Sequence, residues 1–348
     1  MRDNKPILVR APNWIGDAVM CLPALEALHR LYPASAITVV AKPRVAPVFR
    51  HCACIKDIIE YDDKGGHRGI VGRLKLASGI RSRRFGKAVL FQNAFDAAFL
   101  SFVSGIPERI GYGRDLRSAL LTKAVKLTPE IKKRHQTLYY LNIVAALGAR
   151  MPDAPPLPCL RVPARERARA ERFLKERGIY GRVIIGAAPG ASYGPAKMWP
   201  PGHFASALNA LAKTHGAYPV IFGGPDDKAA CNAVSSLLTV EHANLAGELS
   251  LGESIALMGR ASIFITNDSG PMHLASALGV PTIAVFGSTD AVITGPLGKR
   301  AMVMSSGLEC SPCFKRECRY GHYRCLREIT AEAVVKEAGG LLKTGRRA

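Results

Sequence analysis

Short β-branched runs alternate along the chain with longer stretches in which apolar residues recur at helical spacing, the mark of βα units and parallel sheets. In the first half, the runs Ile7 to Arg10, Ile37 to Ala41, Asp57 to Tyr61 and Lys87 to Phe91 predict strands. Between the first two, Val19, Leu22, Leu25, Leu28 and Leu31 predict one helix from Asp17 to Leu31 with a single buried face. The stretch Met151 to Pro158 holds Pro152, Pro155, Pro156 and Pro158 and reads as an interdomain linker. A charged helix over Ala164 to Arg177 follows. The strand pattern then restarts with Arg182 to Ala187, Val220 to Phe222, Ile263 to Thr266 and Thr282 to Phe286. The pattern therefore predicts an α/β protein of two consecutive open units of similar size, over residues 1–160 and 161–348. Ligands of such sheets bind outside the carboxyl ends of the strands, and two units facing each other would form a cleft.

Composition narrows the class. An apolar content of 48% is that of a chain with a real core, so the formal charge of +21 does not belong to a disordered polyelectrolyte. Such a field implies an anionic partner. A nucleic-acid-binding protein would explain it directly, but the chain lacks helix-turn-helix, RNA-recognition and zinc-finger signatures, and only 7% of its residues are aromatic. No apolar run is long enough to cross a bilayer, Met1 to Arg10 has no secretory h-region, and the nine cysteines are an odd count. The expectation is a cytoplasmic protein without nucleic acid as partner.

Three motifs sit where strands turn into helices. The first, R-A-P-N-W-I-G-D from Arg10 to Asp17, delivers Asp17 to the carboxyl edge of the first sheet. There it is either a helix N-cap or a carboxylate placed to take a proton from a hydroxyl nucleophile. The second, P-G-A-S-Y-G-P-A-K-M-W-P from Pro189 to Pro200, is a small-residue loop containing Ser192, whose amides can face an anion, with Lys197 as a mobile positive charge. It does not end in the G-K-[ST] of a Walker loop, and an ordinary connection with a solvated lysine would look the same. The third, T-N-D-S-G-P-M-H from Thr266 to His273, runs into a helix beginning near Gly270. Unpaired N–H groups near Ser269, Gly270 and Met272 would offer phosphate a positive helix end, and the fixed φ of Pro271 suits the first turn. Asp268 and His273 can equally be a cap and a core histidine. Two anion-friendly loops in one domain suit a nucleotide diphosphate.

A fourth segment, C-S-P-C-F-K-R-E-C-R-Y-G-H-Y-R-C, spaces Cys310, Cys313, Cys318 and Cys325 as C-x2-C-x4-C-x6-C. Four thiolates can hold zinc or an iron-sulfur cluster, or can simply pack in a thiol-rich loop, and the spacing matches no standard zinc signature.

With these four motifs in this order, the chain resembles the ADP-heptose:lipopolysaccharide heptosyltransferases of glycosyltransferase family 9 over nearly its whole length. The cysteine segment looks most like the heptosyltransferase II branch. The resemblance implies GT-B architecture, two Rossmann-like domains facing across a cleft, with an acceptor domain first and an ADP-heptose domain second. It also implies a last helix, about 331–342, that crosses back to the first domain. It implies an inverting transfer of L-glycero-D-manno-heptose to the heptose of a heptosyl-Kdo2-lipid A core, or to another acceptor, as in the heptosyltransferase I branch. By the same resemblance Asp17 matches the catalytic base, Lys197 the lysine that meets the donor phosphates, and Asp268, Ser269 and Gly270 the phosphate-binding turn. His273 falls on the family's histidine, and Asp226 stands near an acidic residue that holds the ribose. No D-x-D motif is present, so no obligatory metal or other cofactor is expected.

The charge asymmetry then acquires a direction. Residues 1–150 carry 25 basic and 11 acidic side chains, and residues 151–348 carry 23 and 16, so the halves are +14 and +7. From Lys64 to Lys87 there are eight Lys and Arg and no acidic residue. Arg68, Arg73, Lys75, Arg81, Arg83 and Arg84 are expected to dock the first domain on the anionic inner face of the inner membrane, each worth about 1 kcal/mol near such a surface.

Overall fold

The computed structural model describes residues 4–114 and 116–345, and the chain divides after Cys159 into two compact units. The first is built on β1 (Ile7–Arg10), β2 (Ile37–Ala41), β3 (Asp57–Glu60), β4 (Lys87–Leu90), β5 (Glu108–Tyr112) and β6 (Lys123–Val125), in the order β3-β2-β1-β4-β5-β6. The second repeats the plan. It uses β7 (Ile184–Ala188), β8 (Tyr218–Ile221), β9 (Ala243–Asn244), β10 (Ile263–Asn267), β11 (Thr282–Val285) and β12 (Ala301–Met304), in the order β9-β8-β7-β10-β11-β12. Every pairing is parallel. Each unit thus sets its first strand beside its fourth, the doubly wound order that opens a crevice at their carboxyl ends.

Four strands have no counterpart in the hydrophobic pattern. Strands β6, β9 and β12 are edges, short or only half-buried, so nothing demands a continuous apolar run of them. β5 is internal but opens with Glu108, whose carboxylate accepts a bond from Lys87 Nζ of β4 at 2.6 Å, and this ion pair disguises the strand. The single helix expected over Asp17 to Leu31 is two, Ile15–Met20 and Leu22–Leu31, meeting at Cys21. Pro23 is the physical cause, since it has no N–H and its ring excludes a straight helix continuing through Val19. The helix Ala164–Glu176 forms as expected.

The last helix, Ala331–Gly345, lays Val334, Ala338 and Leu342 into the second unit's core beside Phe204, Leu208 and Leu211. The buried face of this helix is therefore spent within its own unit. Among the described residues, no helix is long and apolar enough to cross a membrane.

The central strands of the second sheet pair small with large. Gly186 of β7 lies opposite Phe264 of β10, and a Cβ on Gly186 would stand 2.4 Å from the Phe264 ring. Gly186→Ala should therefore cost about 1–3 kcal/mol, read as a lower urea midpoint at unchanged slope.

Candidate active site

In the first unit the β1 loop and the helix Gln136–Ala145 converge on Asp17. Trp14, not Asp17, takes the N-cap position of the helix Ile15–Met20, without a side-chain bond to it, and Asp17 sits in the first turn. The carboxylate is therefore left for other work, and the buried Tyr140 hydroxyl donates to its Oδ1 at 2.8 Å. Burial pushes the Asp17 carboxyl above the ordinary carboxylate range, while the Tyr140 hydrogen bond works in the opposite direction. Burial and the neighbouring Asp17 together hold the Tyr140 hydroxyl well above its usual pKa, so it stays a donor.

The surroundings of this pair are polar and tightly held. Tyr140 packs on Phe91, ring centroids 5.4 Å apart, just past β4. Asn93 Nδ2 donates to Tyr139 Oη at 2.5 Å and accepts through Oδ1 from the buried Arg117 at 3.1 Å, which also donates to Tyr112 O at 2.9 Å. Arg10, 1% exposed at the end of β1, donates to Val40 O at 3.1 Å and lies 5.1 Å from the Tyr61 ring centroid. Its burial lowers the guanidinium to about 10, partly offset by Asp96, Tyr61 and Asp63. Among the described residues, buried atoms without a partner include Arg10 Nε and Nη2, Asn13 Oδ1, Gln92 Oε1 and Thr137 Oγ1. They come from the end of β1, the loops leaving β1 and β4 and the Tyr140 helix, and Ser288 Oγ and Ser306 Oγ are in the same condition in the second unit.

The second unit assembles its site at the matching place. Asn267, the last residue of β10, accepts from Trp199 N at 2.9 Å and donates to Pro189 O at 2.6 Å, tying both ends of the β7 loop to β10. This seats Lys197, whose Nζ lies 2.6 Å from Asp268 Oδ2, the two side chains being 14% and 4% exposed. The Thr289 hydroxyl donates to the same carboxylate oxygen. Asp268 thus neither caps the following helix nor faces outward as an anion: it holds Lys197. Ser269 takes the N-cap position of the helix Gly270–Ala277 without a side-chain bond to it, and Pro271 lies in the first turn. Met272 N–H already donates to Ser269 O at 3.1 Å, so of the three amides expected to meet phosphate it is used. Those of Ser269 and Gly270 have no acceptor among the described residues and remain at the positive helix end. His273 is buried within that helix. Ser192 is exposed at the tip of the β7 loop. Asp226 is exposed too, whereas its neighbour Asp227 accepts from Gly224 N at 2.9 Å and packs so closely on Gly190 that a Cβ there would meet its carboxylate at 2.1 Å.

The cysteine segment braces this loop. Tyr193 Oη donates to Phe314 O at 2.7 Å, Ala196 N to Arg316 O at 3.0 Å, and Phe314 N to Ser288 O at 2.6 Å. Gly194, with φ at +142°, is required where a Cβ would come within 2.6 Å of Arg316 O. Lys197 Nζ and the Arg316 guanidinium lie 4.9 and 5.6 Å from the Tyr193 ring centroid. Burial raises the Cys325 thiol, helped by the proximity of Cys310, Cys313 and Cys318. For Cys318, desolvation is outweighed by backbone hydrogen bonds from Tyr323, Tyr320, His322 and Gly321, which lower its thiol. All nine cysteines are free thiols, and among the described residues no group of three or more Cys, His, Asp or Glu is arranged to hold a metal ion.

The basic run is arrayed on one helix, Gly69–Ser82, and its ends. Arg68 precedes the first turn, Arg73, Lys75 and Arg81 lie along it, and Arg83 and Arg84 follow, all exposed. It is not unopposed in space: Arg73 Nε pairs with Asp96 at 3.3 Å and Arg83 with Asp57, both from outside the run. The sequence pattern gave no role to Tyr140, Asn267, Thr289, Tyr193 or the buried Arg10. Only Arg10 and Asn267 carried a local sign, being polar residues at the ends of apolar strands.

Comparison with known proteins points one way. A model of glycosyltransferase family 9 (heptosyltransferase) matches residues 73–324. Lipopolysaccharide heptosyltransferase 2 of Escherichia coli strain K12 is 30% identical over 345 residues, 97% of this chain and 98% of that one. The structure of E. coli ADP-heptose LPS heptosyltransferase II superposes with a TM-score of 0.85 at 28% identity, covering 98% of this chain and 99% of that chain. A family 9 glycosyltransferase from Veillonella parvula superposes with a TM-score of 0.87, also at 28% identity, covering 99% of both.

The Lys197–Asp268 pair carries a stability consequence. Asp268→Ala leaves a mostly buried ammonium without its partner and should cost about 3 kcal/mol in urea unfolding, whereas the double change Lys197→Met with Asp268→Leu should recover much of it.

Proposed function

The chain belongs to glycosyltransferase family 9, and from that membership we propose that it moves L-glycero-D-manno-heptose from ADP-heptose to the heptose of the lipopolysaccharide inner core, with inversion at the anomeric carbon. The names of its relatives support the donor and acceptor. The observation that carries the chemistry is that each unit's switch point holds one half of a displacement: a buried, proton-accepting carboxylate in the first, and a held lysine beside open helix amides in the second.

Asp17 takes the proton of the acceptor hydroxyl as that oxygen bonds to the anomeric carbon. On the opposite face the bond from that carbon to the β-phosphate oxygen breaks, and ADP departs with the electron pair. In the oxocarbenium-like transition state negative charge grows on the diphosphate, so donors fixed there beforehand lower the barrier. Lys197 and the Ser269 and Gly270 amides are those donors. Pro271 sets the helix entry, Ser192 reaches the diphosphate from the loop tip, and Asp226 meets the ribose. His273 supports the helix from within. With lysine and amides neutralising the leaving group, the reaction needs no divalent ion. The basic helix docks the enzyme on the anionic inner face of the inner membrane, which places it in the cytoplasm.

Two experiments test this reading. Purified protein given ADP-heptose and heptosyl-Kdo2-lipid A should release ADP and add one heptose by mass, undiminished by chelator. Asp17→Asn should be inactive, and Lys197→Ala slowed about 10²- to 10³-fold. Turnover only on unheptosylated Kdo2-lipid A would move the acceptor to the other branch of the family. In the second, Tyr140→Phe removes the donor that lowers the Asp17 pKa, so that pKa rises. Because Asp17 acts deprotonated, the acid limb of kcat/KM against pH should shift to higher pH, with the plateau above it retained.

A further inference from the structure

Two neighbouring helices of the first unit leave apolar stripes in solvent. On Gly69–Ser82 the buried side is Gly72, Leu76, Ala77 and Ile80, and the opposite side carries Ile70, Val71 and Leu74, exposed by 76, 82 and 52%. On Phe95–Val103 the stripe is Phe95, Phe99 and Phe102, one face at i, i+4 and i+7, exposed by 49, 38 and 50%. Singly exposed apolar residues need no explanation, but six large ones on two adjacent helices do.

The same basic residues that form the charged patch bind these helices side by side. Arg73 pairs with Asp96 in the first turn of the second helix, and Arg81 Nη2 donates to Val103 O at its last turn, 2.6 Å away. The helices therefore run in the same direction and are tied at both ends. Arg109 adds its guanidinium 5.3 Å from the Phe102 ring centroid. The second helix begins just after β4, at the carboxyl edge of the sheet that also holds Asp17.

We propose that these paired stripes insert into the interfacial layer of an anionic phospholipid bilayer, with the surrounding Arg and Lys on its headgroups. This deepens the reading of the chain as an enzyme acting on a lipid-borne sugar and rests on it. Charge decides between a bilayer and a second copy of the chain. A two-fold dimer through this face would set the exposed cations Arg68, Lys75, Arg81 and Arg84 of the two copies against one another. An anionic bilayer complements that charge and takes up the apolar side chains at once. Apolar side chains ringed by basic ones are the composition of an interfacial anchor, and burying a few of them makes binding outlast the screening of the charges.

The test measures partition of the full chain onto vesicles of phosphatidylglycerol and phosphatidylethanolamine, at low and high salt, and pressure changes in a monolayer of the same lipids. The wild type should bind, retain a salt-resistant fraction and raise the monolayer pressure. The triple changes Ile70→Ser, Val71→Ser, Leu74→Ser and Phe95→Ser, Phe99→Ser, Phe102→Ser should each weaken partition about tenfold or more and abolish the pressure rise. Binding that vanishes wholly with salt and ignores both sets of changes would overturn insertion, as would no vesicle binding, or a dimer in solution that these changes dissolve. Activity on a delipidated, water-soluble heptosyl acceptor keeps the two readings apart. It should persist in both triple variants, and its failure in the wild type would count against the transfer reaction and not against the anchor.

Discussion

Where the first and fourth strands of a doubly wound sheet lie side by side, the loops leaving them turn to opposite faces, and a crevice opens above their carboxyl ends. The chemistry of this protein depends on how each unit closes that crevice just enough. In the first unit it is done by backbone: Arg10 O accepts from both Phe91 N and Gln92 N, binding the β1 exit to the β4 exit. In the second it is done by one buried side chain, Asn267, which grips Trp199 N and Pro189 O. Both devices hold loops rigid without filling the space between them.

Each crevice then has a buried charge to manage. Asp17 is taken out of water, which pushes its carboxyl up, and receives the Tyr140 hydroxyl, which works in the opposite direction. Lys197 is given a carboxylate of its own, Asp268, which is itself steadied by Thr289. The pair keeps the lysine placed, and the adjacent amides of Ser269 and Gly270 remain open. Isolated charges in such positions would carry a large desolvation cost, which pairing and hydrogen bonds offset. The cysteine segment serves the same end from outside, since its backbone carbonyls at Phe314 and Arg316 pin the loop that carries Lys197.

The two α/β units were legible because buried parallel strands such as I-L-V-R and I-T-V-V-A are apolar on both faces, whereas their order in the sheets was not. The edge strands were not, because half of their surroundings is solvent. The site motifs were visible as strand-to-helix loops rich in Gly, Pro and Asp, yet local pattern gave Asp17 and Asp268 the same two readings, cap or functional carboxylate. Structure separates them: Trp14 and Ser269 take the capping positions, one aspartate receives Tyr140 and the other Lys197.

By itself the sequence determined two α/β units, the loops that carry chemistry, the family resemblance and the excess positive charge of the first half. These are properties of local period, residue type and order along the chain. Only tertiary structure decided which side chains meet. Tyr140 reaches Asp17 across 123 residues and Asn267 reaches Trp199 across 68. Helical phase set against a neighbouring helix turned Ile70, Leu74 and Phe99 outward, and none of these relations is written in the residues next to them.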